Sequence, residues 1–166
     1  WSWSRGLGDV YKRQENNLEF SIYGDIDEAN FNCLTMEDIK PYLCEQILYR
    51  GFSEDVQKRI KESSVVVLPS YREGFSKVLM EAQANSRPVI TSSVTGCKDV
   101  IVDGETGFLV EPANVEELVD KMQLFILNPN LINEMGACAY DHAIKHFTLR
   151  RAIDEHLKMF ESILKN

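Results

Sequence analysis

Leu18-Glu-Phe-Ser-Ile-Tyr23 alternates apolar and polar side chains and then meets Gly24-Asp25. Period-two alternation closed by turn residues predicts a half-buried strand over 18–23. Ile47-Leu-Tyr-Arg50, closed by Gly51, reads as a second strand, and the unbroken apolar run Val65–Leu68, ending at Pro69-Ser70, as a third. Pro88-Val-Ile-Thr91 is a fourth strand. Asp103-Gly-Glu-Thr-Gly107 is a turn, and Phe108–Val110 follows it as the fifth. Helix signals fill the intervals. Thr35-Met-Glu-Asp38 has capping-box character and opens a short helix toward Leu43. Ser53 starts another, running to about Glu62, with Glu54 and Asp55 in its first turn. A helix from about Ser76 to Ala84 follows the third strand.

Beyond Val110 the pattern changes to helices alone. Asn114 with Glu117 opens one to about Leu127, Pro129 begins one ending near His146, and Thr148 caps the last, to about Leu164. Ile153, Leu157, Phe160 and Leu164 put an apolar face on that last helix. Strand–helix alternation with short connections predicts an α/β fold of the Rossmann-like kind. Its parallel sheet has helices on both faces, and the final helices form a C-terminal extension. Trp1–Gln14 shows neither period and does not begin with Met, so it is expected to be a non-native tail ahead of a domain over 15–166.

Composition narrows the class. The chain has 166 residues, 44% hydrophobic and 27% charged, with a formal net charge of −8. The apolar content supports a real core, and the acidity argues against a nucleic-acid partner. No apolar run approaches the ~20 residues that span a bilayer, and no secretory signal is visible. Cys33, Cys44, Cys97 and Cys138 form no CxxC pair, and no His lies at ligand spacing from them. Free thiols in a reducing cytoplasm are expected, with no metal site.

The candidate chemistry lies in Tyr71-Arg-Glu-Gly-Phe-Ser-Lys-Val-Leu-Met-Glu81, where Glu73 and Glu81 stand eight residues apart. Glu73 falls in the loop beyond the third strand, and Glu81 in the second turn of the following helix. Between them lie free N–H groups of a helix start, which attract anions, phosphate above all. In open α/β sheets, ligands sit beyond the carboxyl ends of the strands. Two carboxylates flanking such a helix end suit a diphosphate with hydroxyls on both sides, as in a nucleotide-sugar.

From Leu18 onward the chain resembles the C-terminal, donor-binding domain of retaining GT-B glycosyltransferases, the family four group also called glycosyl transferases group 1. The landmarks come in order: Tyr23-Gly-Asp25, Leu48-Tyr-Arg-Gly51, the Leu68–Ala82 segment with both glutamates, Arg87-Pro-Val-Ile90 and Asp103–Val110. Lys77 and Gly96-Cys-Lys-Asp99 resemble the branch that assembles bacterial surface glycans and lipid-linked oligosaccharides. The resemblance implies one half of a GT-B fold. The parent enzyme would pass a hexose or N-acetylhexosamine from a nucleotide-diphosphate donor, with UDP as the expected nucleotide, to a glycan or lipid-linked acceptor. It further implies no cofactor and no metal, because a helix end and basic side chains neutralise the leaving diphosphate. Glu73 becomes the catalytic residue, placed on donor-sugar hydroxyls. Glu81 would take the ribose. Gly74, Phe75, Ser76 and Lys77 would cradle the sugar and diphosphate, and Gly24 and Arg50 would contribute to the nucleotide pocket. The family's N-terminal acceptor domain is expected as the missing partner, and the fragment alone is expected to be inactive. The parent would work in the cytoplasm, at the inner face of the membrane.

Other readings stand beside these. Lys77 and Glu81 lie at i,i+4 and can form a plain surface ion pair. Gly104 and Gly107 read as turn glycines, His142, His146 and His156 as surface residues, and Phe125, Phe147 and Phe160 as core. Asn85-Ser86-Arg87-Pro88 departs from the family, which has Gly before the basic residue, and Asn is a substitute in the left-handed region. The alternatives are a non-catalytic nucleotide-binding module and a GT-B-type nucleotide-sugar epimerase. A dinucleotide oxidoreductase is disfavoured, since no Gly-x-Gly-x-x-Gly follows the first strand.

Overall fold

A computed structural model describes residues 18–26 and 34–164. The expected tail, 1–14, lies outside the described residues. Hydrogen bonding groups the five strands into two parallel sheets, and the chain divides into two compact units meeting at Val56–Gln57.

In the first unit, β1 (Phe20–Tyr23) pairs in parallel with β2 (Ile47–Gly51), with Phe20 opposite Ile47 and a register shift after Ile22. Parallel strands need a crossover, and α1 (Met36–Ile39) with a 3-10 turn over Lys40–Tyr42 lies within it. The capping box at Thr35 forms in full: its hydroxyl accepts from Asp38 N–H, and the Asp38 carboxylate accepts from Thr35 N–H at 2.9 Å. Hydrogen bonds from the Thr35 hydroxyl and backbone hold the Asp38 carboxyl below its ordinary value.

In the second unit, β3 (Val66–Leu68), β4 (Val89–Ser92) and β5 (Gly107–Val110) form one parallel sheet with β4 central. β4 is buried along its whole length, as a strand paired on both edges and covered on its faces should be. Its buried hydroxyl is satisfied: Thr91 Oγ1 donates to Leu68 C=O at 2.7 Å. The helices are α2 (Val56–Glu62), α3 (Lys77–Ala84), α4 (Val115–Leu127), α5 (Asn130–His146) and α6 (Leu149–Leu164). Of the expected extension, α4 packs on β4 and β5, and α5 packs on α3. The core gathers Ile60, Leu79, Ala82, Val89, Cys97, Val100 and Ile101.

Several local expectations change. α2 begins at Val56, so Glu54 and Asp55 precede it rather than fill its first turn. Ser86 at φ 56°, not Asn85 at φ −101°, takes the left-handed conformation after α3. Gly107 opens β5 instead of serving the turn, because a Cβ there would run into the Val89 backbone. His142 is not a plain surface residue. Its Nδ1 lies 3.0 Å from Oε1 of the fully buried Gln83, whose amide donates to Val100 C=O at 2.9 Å. Phe125 is buried as expected, while Phe160 is 57% exposed.

That exposure belongs to the whole of α6. None of its residues is buried, and Leu149, Ile153, Leu157, Phe160, Ile163 and Leu164 are each at least half exposed. An isolated helix of this length is marginal in water. Backbone amides of α6 in the chain as given should therefore exchange within a few orders of magnitude of the unfolded rate, far faster than those of β4. Hydrogen exchange read by mass spectrometry checks this. Equal protection of the two elements would show that α6 is held by packing.

Candidate functional site

β3 ends at Leu68, and Pro69 stops the strand because it has no N–H to donate. The loop 70–76 then carries the chain into α3. Ser70 Oγ donates to Glu73 Oε1 at 2.8 Å, which fixes one carboxylate oxygen of the half-buried Glu73. Ser76, 4% exposed, is the N-cap of α3 by backbone geometry, but its hydroxyl makes no capping bond. Its N–H reaches Gly96 C=O at 3.4 Å. At the helix start the N–H groups of Phe75 and Lys77 have no partner among the described residues, as the first turn of a helix requires.

A second loop, following β4, faces the first. Ser93, Val94, Thr95 and Lys98 line a cleft of about 580 Å³ together with Tyr71, Arg72 and Glu73. Next to the lining residue Lys98 in sequence is Cys97, fully buried in the core and a free thiol. Burial pushes that thiol up from its ordinary value. A hydrogen bond with Thr91 works the other way, and the Glu73 charge adds to the rise. The neutral thiol is thus a packing group and not a nucleophile. Two exposed cations, Arg72 and Lys98, stand on the cleft wall beside the Glu73 carboxylate. Among the described residues no three His, Cys, Asp or Glu side chains gather at metal-binding distance.

Glu73, Gly74, Phe75, Ser76, Lys77 and Glu81 all fall on the second unit, along the loop and the first turns of α3. Gly24 and Arg50 fall on the first unit. There, Gly24 C=O accepts from the Tyr49 hydroxyl at 2.8 Å. Arg50 pairs with Glu19 at 3.1 Å, and the Ser21 hydroxyl, then Arg50, hold the Glu19 carboxyl below its ordinary value.

The plain reading of Lys77 and Glu81 is realised: Lys77 Nζ sits 3.4 Å from Glu81 Oε1. The pair is lopsided, with Lys77 82% exposed and Glu81 only 19%. An exposed ammonium gains little from such a contact, so it is free to swing onto an anion. Gly74 does not itself sit in a tight place, since a Cβ there would meet nothing within 4 Å. The tight glycine is Gly96, at φ 86°, where a Cβ would land on the Gly74 carbonyl oxygen. Residues 93–95 have no motif of their own, and only their place after a buried strand with polar Thr91-Ser92 at its end would have pointed to them.

Behind the site, Phe75 meets Phe147 edge-on at 5.8 Å between centroids, and Phe147 meets His142 at 5.2 Å. Burial, then the neighbouring His146 and Lys145, lower the pKa of His142 from 6.5, with Glu105 opposing. The unfolded chain therefore binds this proton more readily than the folded one. Stability is full above about pH 6.5 and falls as pH drops through that value toward the folded pKa. Between pH 7.5 and 5.5 the thermal midpoint should fall further for the wild type than for His142→Gln. Parallel pH curves for the two proteins would contradict the assignment.

The glycosyl transferases group 1 model matches residues 7–142. The chain is 36% identical over 140 residues to the capsular polysaccharide biosynthesis glycosyltransferase CapM of Staphylococcus aureus, covering 84% of this chain and 35% of that protein. It is 40% identical over 145 residues to a D-inositol 3-phosphate glycosyltransferase of Corynebacterium aurimucosum, covering 84% of this chain and 34% of the relative. Among solved structures, a variant of TarM from S. aureus, crystallised with fondaparinux, α-GlcNAc-glycerol and UDP, matches with a TM-score of 0.79 at 25% identity, covering 96% of this chain and 31% of that one. These shares mean that the chain spans about a third of the length of the relatives it matches. A parallel α/β unit with its cleft beyond β3 and β4, together with a family match over most of the residues, leads to one conclusion: the chain belongs to the glycosyl transferases group 1 family and has the fold of one half of a GT-B enzyme.

Proposed function

We propose that this domain binds the donor of a sugar-transfer reaction. The donor is a UDP-linked hexose or N-acetylhexosamine. The longer protein would move that sugar, with retention, onto a glycan or lipid-linked acceptor held by a separate N-terminal domain. The observation that carries this reading is the meeting of Glu73 and the cations Arg72 and Lys98 around one cleft, on the loop that runs directly into the open N–H groups at the start of α3. Charge grows on the diphosphate as the glycosidic bond breaks. The helix end and Lys77 neutralise it without a metal. Glu73 accepts from donor-sugar hydroxyls and Glu81 from the ribose. CapM is named for capsular polysaccharide synthesis, and the TarM variant was crystallised with UDP. Both support a UDP-sugar and a surface-glycan acceptor over an epimerase or a non-catalytic module. No described helix is long and apolar enough to cross a membrane. We place the parent in the cytoplasm, at the inner membrane face where lipid-linked acceptors lie.

Calorimetry with UDP and a panel of UDP-sugars, in EDTA, tests the reading. Binding should survive chelation, and its loss would overturn metal independence. Glu81→Ala should weaken UDP and UDP-sugar alike by roughly tenfold, the worth of a charge-assisted hydrogen bond. Glu73→Ala should weaken the UDP-sugar by a similar factor and leave UDP within about twofold. Equal effects of both substitutions on both ligands would remove the division of roles.

A further inference from the structure

We propose that Ser70 and Asp99 are positioning residues for Glu73, Ser70 holding its carboxylate directly and Asp99 holding the backbone of its loop, with Gly96 as the bearing surface. The proposal rests on the donor-binding reading above.

The first contact is direct: the Ser70 hydroxyl donates to Glu73 Oε1 at 2.8 Å. It leaves Oε2 for a ligand and sets the plane of the carboxylate. The second contact runs through backbone. Gly96 N–H donates to Asp99 Oδ2 at 3.0 Å, which closes the 96–99 turn on itself. Within that turn Gly96 adopts φ 86°, and a Cβ there would lie 2.5 Å from the Gly74 carbonyl carbon and 2.8 Å from the Glu73 carbonyl oxygen. The turn is thus seated against the peptide that follows Glu73. Its own carbonyl then accepts Ser76 N–H at 3.4 Å. The loop bearing Glu73 is thereby tied at its start by a side chain and at its end by a turn from the next strand. This gives the Gly96-Cys-Lys-Asp99 run a purpose: glycine for contact, a buried cysteine to anchor the turn in the core, a cleft-facing lysine, and an aspartate to cap it. A carboxylate that must meet sugar hydroxyls gains from being held before the ligand arrives.

Hydroxyl and carboxylate can each be replaced by a group that keeps or loses the bond. Ser70→Ala removes the donor and Asp99→Ala the acceptor, whereas Ser70→Thr and Asp99→Asn each retain it. In the folded chain the two alanine variants should bind UDP within about twofold of wild type and a UDP-sugar roughly five- to tenfold more weakly. The threonine and asparagine variants should restore most of that loss. Amide exchange at residues 74–76, measured without ligand, should rise at least several-fold in Asp99→Ala and stay near wild type in Asp99→Asn. Unchanged exchange in Asp99→Ala would overturn the proposal, as would equal weakening of UDP and UDP-sugar or failure of Asp99→Asn to rescue. If the wild-type chain binds neither ligand, the donor-binding reading falls. The exchange result still decides whether the turn holds the loop.

Discussion

Replacing Gly96 with alanine should destabilise the second unit by about 3 kcal/mol and abolish detectable UDP-sugar binding. Two costs combine. A Cβ at φ 86° sits in the left-handed region, which costs an ordinary residue about 1–2 kcal/mol. The added methyl would also occupy the place of the Gly74 carbonyl. That obstacle is backbone, so it cannot rotate away like the end of a side chain. The loop 70–76 must shift instead, taking Glu73 and the start of α3 with it. For a chain of this size the thermal midpoint should drop on the order of 10 °C. Urea melts and UDP-sugar titrations on the same preparation check both halves. A variant within 1 kcal/mol of wild type with intact binding would show that the loops move past each other without cost.

Leu79→Ala has the second large effect, and it reaches the site from the opposite side of α3. Leu79 is fully buried, in one cluster with Ile60, Val89, Cys97, Val100 and Ile101. Leucine-to-alanine changes at such sites cost about 3–4 kcal/mol, the lost transfer energy plus the cavity left behind. Leu79 is also the inward anchor of the helix that follows the Glu73 loop. Its loss should weaken UDP several-fold in the protein that remains folded. Leu79→Met keeps the volume and should recover all but ~1.5 kcal/mol. Chemical denaturation of the three proteins gives the energies. A cost below 1 kcal/mol for alanine would mean that α3 is not seated as described.

Much of this was legible in the chain itself, and the reason is range. The run Val66–Leu68, its stop at Pro69 and the helix from Lys77 are dictated by neighbours in sequence, so they could be read one after another. The Thr35–Asp38 box spans four residues and formed as expected. What escaped depends on contacts across the fold. Gly96 against Gly74 joins two loops after different strands, and Gln83 to His142 joins two helices 59 residues apart. Neither leaves a mark in local periodicity. Other differences are competitions between near-equal local choices. Ser53 offers a helix start, yet α2 waits until Val56. Asn85 has the better intrinsic tolerance of positive φ, yet Ser86 takes it, with its N–H bonded to Gln83 C=O at 2.9 Å and the Arg87 N–H to Ala82 C=O at 2.9 Å. The hydrogen bonds that end α3 decide that position, and residue preference does not. Phe160 shows the limit of composition: an aromatic on an amphipathic helix signals a face to be covered and says nothing of what covers it.

The sealed thiol in the core has a practical side. Cys97 is shielded and kept protonated, whereas Cys44 and Cys138 are exposed, the former on the first unit and the latter on the second. Maleimide chemistry near neutral pH will therefore discriminate among these native cysteines without touching the cleft lining. With Cys33 changed to serine, one dye on each of the two exposed thiols would give a single-molecule ruler across the units, built without a new cysteine and able to follow them while a nucleotide comes and goes.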